Sequence, residues 1–138
     1  MADETTMQAE TSQAAPETPE SEELNLEMLP FQIIANVGTA RSMYVEAVEQ
    51  AKEGDIEQAR AMLEEGETYF VTGHDSHLKI FTHELTADDM KYLPLIIHAE
   101  DQLMSAEGMK IVCEQLVDMQ EEILQLRAQL HGSKNIQA

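Results

Sequence analysis

Apolar residues recur at steps of three and four along three stretches of the chain, the spacing of one helical face. The first stretch predicts a helix from about Glu27 to Glu53, with Ile34, Val37, Ala40, Tyr44, Ala47 and Ala51 among its apolar positions. Gly54 can take the left-handed conformation that ends a helix. Asp55 can cap the next helix, and Gln58 three residues on completes a capping-box pattern. Glu53-Gly54-Asp55 is therefore a tight turn between antiparallel helices. The second helix is predicted from about Ile56 to Phe81, with Ala59, Leu63, Tyr69, Phe70, His77, Ile80 and Phe81 on its stripe. Gly66 and Gly73 weaken it, each by about 1 kcal/mol relative to Ala. A polar segment follows, in which Thr86 can cap a helix that has Asp89 at its third position. The third helix is predicted from about Asp88 to Leu130. Pro94 places the start of its regular part near Leu93, where a missing N–H costs nothing. His131-Gly132 predicts its end.

The third stretch has two apolar sectors. At about 100° per residue, Leu95, Ala99, Leu103, Ala106, Cys113, Val117 and Leu124 share one side. Ile97, Met104, Val112, Leu116, Met119, Ile123, Leu126 and Leu130 share another. Only a narrow polar stripe remains, with Glu100, Glu107, Glu114, Asp118 and Glu121. One sector suffices to pack on the other two helices. The second predicts a homo-oligomer assembled through this helix, since a monomer rarely exposes so large an apolar patch. A long coiled-coil seam is the plainer form of the same expectation.

The chain has 138 residues, room for one domain, and an all-α fold follows from the three periodic stretches. Its 4% aromatic content, without Trp but with nine Met, suits a helical core. Eight Lys and Arg face 27 Asp and Glu, a formal charge of -19. That excludes nucleic-acid backbone binding and a polybasic membrane anchor as defaults. Residues 1–27 hold eight acids, no base and little to bury, which predicts a disordered acidic tail. The folded domain is then 28–131, and 132–138 a frayed end. The single cysteine, Cys113, excludes an internal disulfide and a cysteine zinc cluster. It lies in the core sector and reads as inert packing. No apolar run reaches the roughly 20 residues of a membrane helix, and the acidic N-terminus is unlike a signal peptide. The expectation is a cytoplasmic protein. The six glycines form no phosphate-cradling loop.

His98 and Asp101, three residues apart, are neighbours on the second apolar sector. An Asp in an apolar seam is costly unless paired or metal-bound. A His beside it is either a satisfied structural residue or a reactive one, and neutral imidazole is a good phosphoryl acceptor. His74, His77 and His83 lie near the end of the second helix. If the helices are antiparallel, His74 and His77 could approach His98 as a metal constellation, although no Glu-x-x-His pattern accompanies them.

The segments GTARSMYVEAVEQAKEGD (residues 38–55) and LIIHAEDQLM (residues 95–104), in this order and separation, resemble the lactose/cellobiose-class enzyme IIA of the bacterial phosphotransferase system. The likeness covers about residues 28–130. The family's His-Ala-x-Asp-x-Leu-Met pattern is matched by His98, Ala99, Asp101, Leu103 and Met104. The resemblance implies an antiparallel up-down-up three-helix subunit and a homotrimeric nine-helix bundle. It implies that His98 takes a phosphoryl group on Nε2 from the phosphocarrier HPr. The group then passes to enzyme IIB, and from there to a disaccharide entering through the IIC permease. It also implies that Asp101 meets its symmetry mates around a structural divalent cation of the Mg²⁺ type, which suits clustered carboxylates. Glu100 and Gln102 stand where the family often has Gln and His, and Glu100, on the polar stripe, is expected in solvent. His74 matches a family histidine near the active site, and His77 replaces what is often Gln. These departures favour cellobiose or related β-glucosides over lactose. The competing reading is a non-catalytic helical oligomerisation or adaptor protein, with His98 as packing and Asp101 setting register.

Overall fold

The structure, a computed structural model, describes residues 24–134 and is helical, with no strand among them. Helix α1 spans Leu29–Glu53, α2 spans Ile56–Phe81 and α3 spans Leu93–Lys134. A short 3₁₀ turn, Asp88–Tyr92, leads into α3.

The entry to α1 is built by Asn25. Its side-chain Oδ1 accepts from the Met28 N–H at 2.9 Å, and its carbonyl accepts from the Leu29 N–H, also at 2.9 Å. Pro30 then sits in the first turn, so the helix starts later than the expected Glu27. Leu26 is only 4% exposed and packs with Leu29, Ile33 and Ile96, while Leu24 lies partly buried against the same cluster. Residues 24–27 therefore belong to the fold, which corrects the tail boundary at residue 27. Two leucines in that stretch can bury more than the polar residues before them. The rest of the expected tail, 1–23, lies outside the described residues.

The turn after α1 forms as the sequence predicts. Gly54 has φ 98°, and the N–H groups of Gly54 and Asp55 close the helix onto Ala51 and Gln50. Asp55 caps α2 by accepting from the Gln58 N–H at 2.9 Å. Thr86 donates from both its N–H and its hydroxyl to Asp89, at 2.8 and 2.7 Å. These bonds hold the Asp89 carboxyl below the usual carboxylate range. Helix α3 begins at Leu93 with Pro94 in its first turn, as expected. It does not end at His131-Gly132. Gly54 is the one described glycine with positive φ, so Gly132 provides no left-handed stop and α3 continues to Lys134. Residues 135–138 of the expected frayed end lie outside the described residues.

Contacts between α1 and α2 run in opposite directions, from Tyr44 beside Gly66 to Val37 beside Gly73. Those between α2 and α3 do the same, from Arg60 with Asp118 to His77 with Glu100. Helix α2 lies close because its buried face is small: Ala59, Gly66, Gly73 and Ser76, with Leu63 and Ile80. Phe81 falls off that face and is 74% exposed, against its expected place on the stripe. On α3 the first sector is covered: Ala99, Leu103, Ala106, Cys113 and Val117 are all buried. Burial pushes the Cys113 thiol up, which disfavours the reactive thiolate and agrees with inert packing.

Candidate functional site

The second sector of α3 is uncovered in the single chain. Ile97, Met104, Val112, Leu116, Met119, Ile123, Leu126 and Leu130 are all exposed, and Ile111 joins them. His98 and Asp101 are exposed on the same side of the helix, away from the buried Ala99 and Leu103. His98 is therefore not a packed core histidine in this subunit. Its ring stands free for a partner to approach, with a carboxylate one turn away.

The residues flanking His98 reach toward the other two helices. Gln102, one turn on, accepts from Arg41 Nη1 at 3.2 Å. This places a guanidinium from α1 within one turn of His98, in a half-buried position. The sequence alone did not single out Arg41, although it is the first basic residue of the chain and lies in the segment GTARSMYV. On the opposite flank, Glu100 lies 3.6 Å from His77 Nε2 on α2. The Glu100 side chain is half exposed rather than freely solvated, because α2 passes on that side. Two of the three positions at which the chain departs from the resembling family, His77 and Glu100, thus face each other.

His77 is part of a row along α2. Phe70 stacks on His74 at 6.3 Å between centroids, His74 meets His77 edge-on at 6.1 Å, and His77 meets Phe81 at 5.8 Å. The ring neighbours of His74 are thus Phe70 and His77. His77 meets Glu100 rather than His98, and His83 lies 3.8 Å from Asp89. Among the described residues no three His, Cys, Asp or Glu side chains gather as a metal site. The multi-histidine constellation considered as an alternative is thus not gathered among the described residues: His74 and His77 meet each other, but His77 is turned to Glu100 and His83 to Asp89.

A further polar cluster is formed by Tyr44, Glu67 and Lys110. Tyr44 donates to Glu67 at 3.4 Å, and Lys110 pairs with Glu67 at 2.6 Å. Burial, aided by the Glu67 charge, pushes the Tyr44 hydroxyl well above the usual tyrosine range. This cluster joins all three helices, with Tyr44 fully buried and Glu67 and Lys110 partly exposed. It is part of the scaffold.

Among the described residues no helix is long and apolar enough to cross a membrane. Residues 28–121 match the family model described as the phosphotransferase system lactose/cellobiose-specific IIA subunit. A lactose-specific EIIA component from Staphylococcus aureus (strain N315) is 31% identical over 93 residues, 67% of this chain and 90% of the relative. The lichenan-specific phosphotransferase enzyme IIA component of Bacillus subtilis (strain 168) is 30% identical over 102 residues, covering 74% of this chain and 93% of the relative. An oligo-beta-mannoside-specific EIIA component of the same organism is 31% identical over 93 residues, 67% and 84% of the two chains. No solved structure matches the chain significantly.

Proposed function

The chain belongs to the lactose/cellobiose-specific IIA family of the phosphotransferase system, and on that premise we propose that it carries phosphoryl groups on His98. It is a phosphotransferase component of sugar uptake. The observation that carries the assignment to His98 is its exposed place on α3, within the matched segment LIIHAEDQLM. The neutral ring attacks through Nε2: its lone pair forms the nitrogen–phosphorus bond as the donor's bond to phosphorus breaks. Phospho-HPr is the donor and enzyme IIB the acceptor, to which the same bond is later surrendered. Arg41, held beside Gln102, offers positive charge near the transferring group. The relatives are named for lactose, lichenan and oligo-beta-mannosides. The altered residues Glu100 and Gln102 favour cellobiose or a related β-glucoside here.

The subunit acts as a cytoplasmic homotrimer, an up-down-up bundle whose α3 helices meet at the axis. Three Asp101 carboxylates would then converge. Their oxygen donors, set on an exposed apolar face, fit a hard divalent cation such as Mg²⁺. The cation would neutralise clustered charge and leave the phosphoryl chemistry to His98. His74 supports the row that ends at His77 and Glu100.

The test is incubation with enzyme I, HPr and phosphoenolpyruvate, followed by intact mass measurement. The parent should gain one phosphate per chain, and His98→Ala should gain none while keeping its helical spectrum and oligomer mass. Full labelling of His98→Ala would overturn the assignment. An unlabelled parent would leave the oligomerisation or adaptor reading.

A further inference from the structure

Arg41 is an unusual cation for this chain. With 27 Asp and Glu to eight Lys and Arg, a base has carboxylates in plenty. Lys52 pairs with Glu49, Arg60 with Asp118 and Glu121, and Lys110 with Glu67. Arg41, half-buried on α1, donates instead to a neutral amide, the Gln102 Oε1 on α3. The acids around it are turned elsewhere. Glu46 lines an open groove of about 410 Å³ with Arg41, Ser42, Val45 and Met109, and accepts from Gln50 at 3.2 Å. Glu100 faces His77 on the other flank of α3. Asp101 lies about 60° around α3 from His98 in one direction, and Gln102 about 40° in the other.

The neutral acceptor matters once His98 is loaded. A phosphoryl group on Nε2 brings about two negative charges and three acceptor oxygens to a ring one turn from Gln102. Charge-assisted hydrogen bonds are roughly twice as strong as neutral ones, and the planar fork of an arginine offers two N–H donors to one phosphoryl group. The guanidinium therefore gains by exchanging the amide for the phosphoryl oxygens. A guanidinium already on a carboxylate would have no such gain. In this exchange Arg41 keeps its protons. The electron pair of the new nitrogen–phosphorus bond comes from Nε2, and the donor keeps the pair of the bond that breaks.

We propose that Gln102 is a positioning residue: it holds Arg41 beside the unloaded His98 with a bond weak enough to give up, and Arg41 passes to the phosphoryl oxygens when His98 is loaded. This rests on the phosphoryl-carrier reading, and it gives a task to the amide at a position where the family often has His. If the bond were only a tie between α1 and α3, a carboxylate at 102 would serve at least as well.

The test uses the full-length chain, ¹⁵N-labelled on arginine and phosphorylated with enzyme I, HPr and phosphoenolpyruvate. The chain has three arginines, Arg41, Arg60 and Arg127, and Arg41→Lys identifies the Arg41 signal. On loading, the Arg41 Nε–H signal should move, and that of Arg60, held by Asp118 and Glu121, should stay. At a fixed ratio of phospho-HPr to HPr, Arg41→Gln should lower the equilibrium constant for loading His98 about tenfold. Gln102→Glu should lower it to a similar degree while melting at or above the parent, because the carboxylate holds the guanidinium back. In an Arg41→Gln background, Gln102→Glu should cost about twofold or less, since no guanidinium remains to be held. An Arg41 signal that does not move in the fully loaded parent would overturn the proposal. So would an Arg41→Gln chain that loads as the parent does, or a Gln102→Glu loss undiminished without Arg41, which would reduce the effect to charge repulsion. Each of these leaves His98 as the carrier. A parent that takes up no phosphate would overturn the phosphoryl-carrier reading and this proposal with it.

Discussion

The fit of α1 to α2 is most sharply tested at Gly66. A Cβ placed there would lie 2.6 Å from Cε1 and 3.0 Å from Cδ1 of Tyr44, and 3.3 Å from the Ala40 carbonyl oxygen. The ring cannot swing clear, because Tyr44 is fully buried and its hydroxyl is tied to Glu67. The backbone of α1 is the next obstacle. In a free helix, Gly→Ala gains about 1 kcal/mol. Overpacking a tight core costs about 1–3 kcal/mol, and two ring atoms at 3.0 Å or closer put this site in the upper part of that range. Gly66→Ala should therefore destabilise by about 1–2 kcal/mol net, lowering the melting temperature by roughly 5–10 °C for a domain of this size. Circular dichroism melts at one fixed protein concentration read this, since an oligomer's melting point depends on concentration. Tyr44→Leu removes the obstructing ring atoms. In that background Gly66→Ala should lose its penalty, a coupling of about 2 kcal/mol. A Gly66→Ala chain that melts at or above the parent would refute the close α1–α2 approach at this position.

Removing residues 1–23 should leave the melting temperature unchanged, whereas removing 1–28 deletes the buried Leu26 and the Asn25 cap and should cost about 3 kcal/mol, read by urea titration of both truncations. The fold holds the Tyr44 proton above the ordinary value of 10.0, first through burial and then through Glu67. The unfolded chain loses that proton sooner as pH rises, so stability present below about pH 10 is lost above it. Tyr44→Phe should flatten this alkaline limb in urea titrations between pH 8 and 11, and an unchanged limb would contradict the assignment. Asp101→Leu removes both the clustered charge and the proposed cation site, a change that is often neutral or stabilising by about 1–4 kcal/mol. It should stay trimeric and indifferent to EDTA while the parent loosens, as sedimentation with and without chelator will show; a parent indifferent to EDTA would refute the axial cation.

Local signals in the chain located the helices where a specific residue enforces a boundary. Gly54 and Asp55 do so through a left-handed turn and a side-chain cap, and Pro94 through its missing N–H. They failed where the boundary depends on packing. Leu24 and Leu26 sit in an acidic, polar stretch, and only α1, α2 and α3 together give them somewhere to go. Gly132 reads as a stop, but with no left-handed turn the helix simply continues. The double apolar character of α3 was readable because periodicity encodes angle. Which helix would cover which flank was not. The neighbours of Glu100 and Gln102 became known only once α2 and α1 were placed beside them, since His77 and Arg41 lie 23 and 61 residues away in the chain.

The position of His98 follows from how one helix divides its circumference. Ala99 and Leu103 face the core, and the row from Val112 to Leu130 faces outward. His98 and Asp101, three residues apart, are separated by about 60° around the axis. Asp101 falls near the middle of the outward row, and His98 falls toward its edge, on the flank where Gln102 receives Arg41. In the proposed assembly, a seam that covers Asp101, Ile97 and Met104 would leave the adjoining flank open. The proposed phosphoryl acceptor would there be reachable by a second protein, with the Arg41 guanidinium on the same flank. Had the histidine been in phase with Asp101, assembly would bury it. Had it been in phase with Ala99, the subunit core would.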